Sequence, residues 1–485
     1  MKRVNIIIVA GLLLVTALSS CKKNFSDLKP YNALPLPDAL SNEAGLNTAV
    51  NGMYSGLRST NLYGRTATLK GDLMGDNVYI KPANSGRYLD FNDYNIITSN
   101  ANALGVWQQA YIVIKNANTI INSTLPANAN INQFKGEAYA VRALMYFELV
   151  RNFCQPYTVS PDAAGVPIVT TFDQNALPGR NTLKEVYALI NSDLAQAFTL
   201  MTLNLNGTMT ISGTGTARPS NSSYFTKYAA RALQAKVYAH MGDWPNAKTA
   251  ALDVVTNSGV TLVANNALVA YWKNAAPRTD KIETLFEVSS DLGNNNGTNA
   301  LAYLYDSTGY GDLLVTNDLY AKYTATDVRR QVIIAPVRAG VTVYVNNKYS
   351  NTGNANDKDD QKVLRYADVL LLLAEAYART SDAPNALIRL NQVAQNRDAS
   401  FAGFASAGQQ LIDDIIAERR KELAFEGDRF FDLQRINATI NKVRRENPTV
   451  LITVAPGDFR RIFPIPQAEV DVNTTIRAQQ NPGYL

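Results

Sequence analysis

The chain has 485 residues, 46% hydrophobic and 18% charged, enough apolar material for one large core or two merged ones. Its 46 Lys and Arg stand against 41 Asp and Glu; without Lys2 and Arg3 the balance is 44 against 41, or +3, and this near-neutrality argues against a nucleic-acid surface. The single histidine, His240, falls inside a predicted helix pair, which removes Ser-His-Asp and Cys-His catalysis and any histidine-rich metal centre.

At the N-terminus Lys2 and Arg3 precede an apolar run from Ile6 to Leu18. This is shorter than the roughly 20 residues a membrane-spanning helix requires, so residues 1–20 read as a secretory signal. Leu18-Ser19-Ser20-Cys21 puts small residues before a cysteine and resembles the lipobox, in which the thiol is acylated before cleavage. Diacylated Cys21 is then the membrane anchor, because two chains hold where one binds only reversibly. Cys154 is left as the free thiol, with no internal disulfide possible, and reads as a buried apolar filler. Residues 21–40, polar and carrying Pro30, Pro35 and Pro37, read as an extended tether.

Periodic apolar patterns then predict helices over about 41–58, 104–123, 132–153, 182–200, 224–240, 244–257, 362–379, 382–396 and 409–425. Several are pairs joined by tight turns. Between Tyr228 and Ala247, small residues allow close packing before Gly242-Asp243 turns the chain, and this stretch resembles a tetratricopeptide helix pair. In a second pair Asp382 is the expected cap, with Pro384 in the first turn. Strands are expected at 283–288 and 341–345, a minor β component. The expected fold is mostly α: a tetratricopeptide-like helix-pair scaffold with an N-terminal half over 41–265 and a C-terminal half over 266–485 packed into the same globule.

Long irregular stretches remain over about 60–103, 155–180, 201–223, 258–360 and 436–485, and loops of that length in a compact protein carry function. Gly213-Thr214-Gly215-Thr216 lacks the Lys-Ser/Thr that a phosphate cradle needs. Asn354 to Asp360 offers oxygen ligands, but the spacing is not that of a calcium hand and Lys358 interrupts it, so neither metal nor cofactor is expected. Sugars present flat apolar faces rimmed by hydroxyls, so their sites need aromatic platforms beside amide, carboxylate or guanidinium groups. With 25 Tyr and 3 Trp, Tyr is the expected platform. Two regions combine the ingredients: Asp76, Asn77 and Tyr79 with Arg87 and Tyr88, and Asn295 with Tyr303, Tyr305 and Tyr310. A glycosidase would need only two carboxylates roughly 5 to 9.5 Å apart, drawn from any positions, and stays open as an alternative.

The most informative run is Glu418 to Arg435, which interleaves opposite charges with aromatics, closes a helix and turns at Gly427. Its expected role is a helix end locked by ion pairs and by Phe430 and Phe431, while Arg329-Arg330 and Arg419-Arg420-Lys421 are expected as solvated or paired surface. The run resembles the C-terminal signature of the SusD/RagB family, outer-membrane nutrient-binding lipoproteins of Bacteroidetes-type bacteria. Gly136 to Arg151, Arg365 to Tyr377 and the closing Asn481-Pro482-Gly483-Tyr484 match in order; Cys154 departs, standing in a turn where members commonly carry glycine. The resemblance implies a protein that binds without cleaving, lipid-anchored to the outer membrane and facing the cell exterior. It further implies an oligosaccharide or other oligomeric nutrient as ligand, handed to a SusC-like TonB-dependent barrel, with a lid or scaffold binding peptides as the variant reading.

Overall fold

The computed structural model describes residues 39–203, 207–219, 221–273, 282–353 and 359–484. Cys21, the signal segment, nearly all of the tether and residues 354–358 of the acidic loop lie outside the described residues. The principal helices are α1 Glu43–Leu57, α2 Thr66–Leu73, α3 Ala101–Ile121, α4 Ala129–Phe153, α5 Leu183–Leu200, α6 Lys227–Met241, α7 Trp244–Asn257, α8 Tyr366–Arg379, α9 Ala383–Arg397, α10 Gly408–Glu422 and α11 Arg429–Arg435. None of the described helices is long and apolar enough to cross a membrane.

Local chemistry explains the boundaries. Thr182 and Glu185 form a reciprocal capping box at the start of α5. Asp243 and Asp382 cap α7 and α9, each with a proline in the first turn, and Gly242 takes the left-handed φ of 73° that ends α6. Helices then stack in near-sequential order: α1 on α3, α3 on α4, α4 on α5, α5 on α6, α6 on α7, α7 on α8, α8 on α9 and both on α10. Small residues permit the closest approach, with Ala239, Ala247, Leu372 and Ala376 joining α6, α7 and α8. The main core runs from Leu46 to Ile476, so both ends of the chain feed it. This mostly helical, tetratricopeptide-like stack is the expected fold.

Strands form two-stranded ribbons. β1 Val78–Ile80 pairs antiparallel with β3 Leu313–Val315, Val78 opposite Val315, and β2 Thr284–Val288 pairs with β4 Gln361–Arg365. Thus 362–365, expected as the start of a helix, is strand. The expected strand at 341–345 divides into two dipeptides, because Ala339 and Gly340, both left-handed, fold Val341–Thr342 back on Val337–Arg338. The helix expected to reach 425 stops at Glu422, and a turn containing left-handed Phe425 and Gly427 follows. That turn meets α2, which lies in a stretch expected as loop. Gly71 and Gly427 approach so closely that a Cβ on Gly71 would sit 1.7 Å from the Gly427 carbonyl oxygen. Asp72 accepts from the Phe425 and Gly427 N–H groups at 2.9 and 2.8 Å.

The charges of the 418–435 run are inside the molecule. Arg419 bonds Asp368 on α8 and Asp432 on α11, Arg435 grips Glu375 through two nitrogens, and Lys236 on α6 pairs with Asp428. A second lattice joins Arg329, Arg365 and Arg397 to Glu283, Glu418, Glu422 and Glu426. Of the solvated or paired surface expected at Arg329, Arg419 and Arg420, the pairing is present but the surface position is corrected: all three are buried. Phe430 and Phe431 are buried beside them.

Candidate functional site

The two loop regions singled out by composition meet in space, because the β1–β3 ribbon joins them. Past β1, the Lys81 N–H donates to the Asp312 carbonyl at 2.9 Å, and both the backbone N–H and hydroxyl of Ser85 donate to the Asp312 carboxylate. The loop so held delivers Arg87 onto Tyr310. Its guanidinium carbon lies 3.7 Å from the ring centroid, and Nη2 donates to the Tyr310 hydroxyl at 3.0 Å. The neighbouring Tyr88, at a left-handed φ of 57°, accepts from Arg65 Nε at 2.6 Å and lies 2.9 Å from the Thr66 hydroxyl.

Arg65 reaches on to the Asn299 carbonyl, and Asn296 donates to the Arg58 carbonyl, so the 296–299 turn is stitched to the 58–66 segment. Arg338 bonds the carbonyls of Gly311 and Tyr305 on either side of Tyr310. Four loop segments, around Arg58–Thr66, Lys81–Asp90, Ser289–Asp312 and Pro336–Val343, thus form one cluster in which Arg65, Arg87 and Tyr310 are partly exposed.

Other candidates are committed to the frame. Burial opposes ionisation of Asp76, but the Arg429 guanidinium, donating through Nε at 2.7 Å and Nη2 at 2.9 Å, and then Arg420 hold its carboxyl below the usual range. Asn77 is buried between Asp72 and Arg420. Tyr303 and Tyr305 are buried as well, the latter edge-on to Phe425. Asn77, Tyr303 and Tyr305, expected at a ligand surface, are thus buried, and so is the Tyr88 side chain. Tyr79 is half-buried against the core, and the Asn295 amide is spent on the Asp291 and Leu292 carbonyls of its own turn.

Arg58, Arg65 and Arg338 were not singled out in the sequence. Tyr63-Gly64-Arg65, an arginine between an aromatic and a turn residue, was the available signal for one of them. A groove of about 640 Å³ along α3 also escaped notice, lined by Trp107, Tyr111, Ile112, Lys115, Phe172 and Glu469 among others. Phe172 is 66% exposed there, with Lys115 Nζ 4.8 Å from its ring centroid.

The remaining reactive side chains are packed away. His240 stands edge-on to Phe147 at 4.9 Å, and burial, then the Arg151 charge, depress its pKa far below that of a free imidazole. Cys154 is buried as expected, its thiol pushed up to about 11 by burial. No group of three or more His, Cys, Asp or Glu among the described residues is arranged to hold a metal ion.

Comparison with known proteins places these features in a family context. The SusD family matches residues 333–484, and the family described as starch-binding associating with outer membrane matches residues 24–239. SusD-like protein P2 of Formosa agariphila is 26% identical over all of both chains. A SusD superfamily protein of Bacteroides vulgatus has a similar structure, with a TM-score of 0.81 at 27% identity, covering 92% of this chain and 99% of that one. Another, from Bacteroides thetaiotaomicron, gives a TM-score of 0.78 at 27% identity, covering 93% and 100%.

Proposed function

Because this chain belongs to the SusD/RagB family, we propose that it is an outer-membrane nutrient-binding protein that grips an oligosaccharide through the loops around Arg87 and Tyr310. The observation that carries the proposal is the Arg87–Tyr310 pair, which holds a partly exposed ring and a hydrogen-bonding fork at the junction of four loops. A pyranose face stacks on such a ring, while guanidinium and phenol groups bond its hydroxyls. The helical stack supplies rigidity, and the loops supply the contacts.

The anchor in this reading is diacylated Cys21, and residues 21–40 are the tether that lets the protein sit on the cell exterior. Its partner is a SusC-like TonB-dependent barrel, which receives the ligand uncleaved. Tight binding is not required. A dissociation constant near 1 mM, about −4 kcal/mol, suffices beside a pore, because anchoring raises the local concentration of both partners.

Isothermal titration of the mature chain with neutral and acidic oligosaccharides and with peptides tests the binding step. Sugar heats that fall at least tenfold in affinity in Tyr310→Ala, with an unchanged melting temperature, support it. Peptide binding without a sugar signal, or release of a shortened product, overturns it. Co-purification of a barrel from detergent-solubilised outer membrane tests the handover, and a pull-down without one refutes that part.

A further inference from the structure

We infer that the ligand of this loop cluster is an acidic glycan, one carrying carboxylate or sulfate groups; the inference rests on the proposed function above and specifies its substrate class. Elsewhere in the protein most buried guanidiniums are neutralised within the fold, Arg142 by Asp193, Arg218 by Glu137, Arg419 by Asp368 and Asp432, while Arg180 and Arg461 bond only neutral groups as single residues. That is the expected pattern, since an unpaired buried charge is costly.

The loop cluster breaks it. Arg58, Arg65, Arg87 and Arg338 are all partly buried, yet every hydrogen bond they make goes to a neutral oxygen: the carbonyls of Ser289, Asn299, Gly311 and Tyr305, and the hydroxyls of Tyr88 and Tyr310. The carboxylates in the same loops are turned to their own donors. Asp291 accepts from Gly293 and Asn294, Asp306 from Thr308 and Thr352, and Asp312 from Ser85.

Donors are left over. Nη1 and Nη2 of Arg58, Nη2 of Arg65, Nε and Nη1 of Arg87 and Nε of Arg338 have no hydrogen-bond partner among the described residues, and none of these nitrogens is among the buried polar atoms left unsatisfied, so they are open to solvent. A guanidinium edge with two free N–H groups matches a carboxylate or sulfate in two-point geometry, which an ammonium cannot reproduce. The arginines are also linked: Arg58 and Arg65 both hold the 296–299 turn, Tyr88 joins Arg65 to the Arg87 loop, and Tyr310 lies between Arg87 and the carbonyls held by Arg338. A neutral sugar needs hydroxyl partners of either polarity. Asp291 and Asp306 partly offset Arg58 and Arg338, whereas Arg65 and Arg87 have no carboxylate partner among the described residues, and those two cations favour an anion beside a ring-stacking tyrosine.

The test titrates the mature chain with an oligogalacturonide and its carboxyl-reduced counterpart, and with a sulfated oligosaccharide before and after desulfation. Affinity for at least one acidic member should exceed that for its neutral counterpart by tenfold or more and should fall as salt rises from 50 to 300 mM. Arg87→Gln and Arg65→Gln should each remove most of that preference, Arg87→Lys should restore only part of it, and Arg389→Gln, on a helix outside the cluster, should leave it intact, with circular dichroism reporting that each variant is folded. Neutral and acidic members binding equally, or both Gln variants staying within twofold of the parent for the acidic ligand, overturns this inference while leaving sugar binding in place. Absence of binding to every saccharide overturns both.

Discussion

Glu422→Gln tests whether the buried charge lattice holds the C-terminal half together. Glu422 accepts from Arg365 at 2.9 Å, from Arg397 at 3.1 to 3.3 Å and from Arg329 at 3.1 Å, with no solvent to compensate its loss. Glutamine keeps the volume, so the change is electrostatic rather than a cavity. Removing one member of a buried ion pair costs about 3–5 kcal/mol. The lower end applies here, because Glu283 still holds Arg397 at 2.8 and 2.9 Å, Glu426 still holds Arg365, and Asp327 and Glu418 still hold Arg329. Urea unfolding at pH 7 should therefore show a loss of about 3 kcal/mol.

Acid supplies the second reading of the same variant. Burial alone would raise the Glu422 pKa, but Arg397, Arg365 and Arg329 outweigh it and hold the folded-state value well below the ordinary carboxylate range. The unfolded chain takes up the proton first as pH falls, so the stability Glu422 contributes is complete above about pH 4.3 and drains away as pH drops toward the folded value. The gap between parent and variant should shrink over that window, since a protonated Glu422 and a glutamine carry the same charge. A gap below about 1 kcal/mol at pH 7, or one indifferent to acid, refutes the argument.

Two further outcomes follow from buried groups near the same frame. Lys442 donates to the Leu73 and Val78 carbonyls with no carboxylate partner among the described residues, and burial pushes its ammonium down to about 7. With the unfolded value near 10.4, the native state binds fewer protons between those limits, so stability should rise from pH 7 to pH 9 by about 1–3 kcal/mol from this group, and a urea series on Lys442→Met should lack that rise. The Cys154 thiol, pushed up to about 11, should react with Ellman's reagent at pH 8 at least a hundredfold more slowly in the folded protein than in 8 M urea; equal rates would show the thiol is reachable.

How much was legible in the chain depended on whether the physics was local. Asp243, Asp382, Gly242 and the prolines after the caps act within one helical turn, so the paired helices could be read from composition and spacing. Helix α2 could not. Thr-Ala-Thr-Leu-Lys-Gly-Asp-Leu buries nearly every face, so it has no amphipathic period, and Gly71 reads as a breaker although it is there to admit the backbone of Gly427. The charges of the 418–435 run signalled ion pairing, but their partners come from α6, α8, α9 and β4, dozens to hundreds of residues away, and nothing local distinguishes a buried lattice from a solvated face. For the same reason Arg87 and Tyr310 could be chosen as separate candidates but not as a pair, being 223 positions apart.

The lattice and the loop cluster are one mechanical system. β1, which leads into the Arg87 loop, leaves α2 through Asp72 and Asp76, and both carboxylates are held by the 418–435 run: Asp72 by the turn at Gly427, Asp76 by Arg420 and Arg429. β3, which leads out of the Tyr310 loop, is registered against β1 and caps its next residue, Thr316, on the Asn77 and Asp76 carbonyls. The Arg87–Tyr310 geometry is therefore set by a ribbon whose root is clamped to the helical stack by ion pairs, while the described loops beyond the ribbon are tied to one another by hydrogen bonds rather than ion pairs. Under the proposed function, residue changes in those loops alter what is bound without disturbing the clamp, whereas changes in the clamp shift the Arg87 and Tyr310 loops together. In that reading the charge-rich run that carries the family resemblance would fix where the loop surface begins and leave open what the surface recognises.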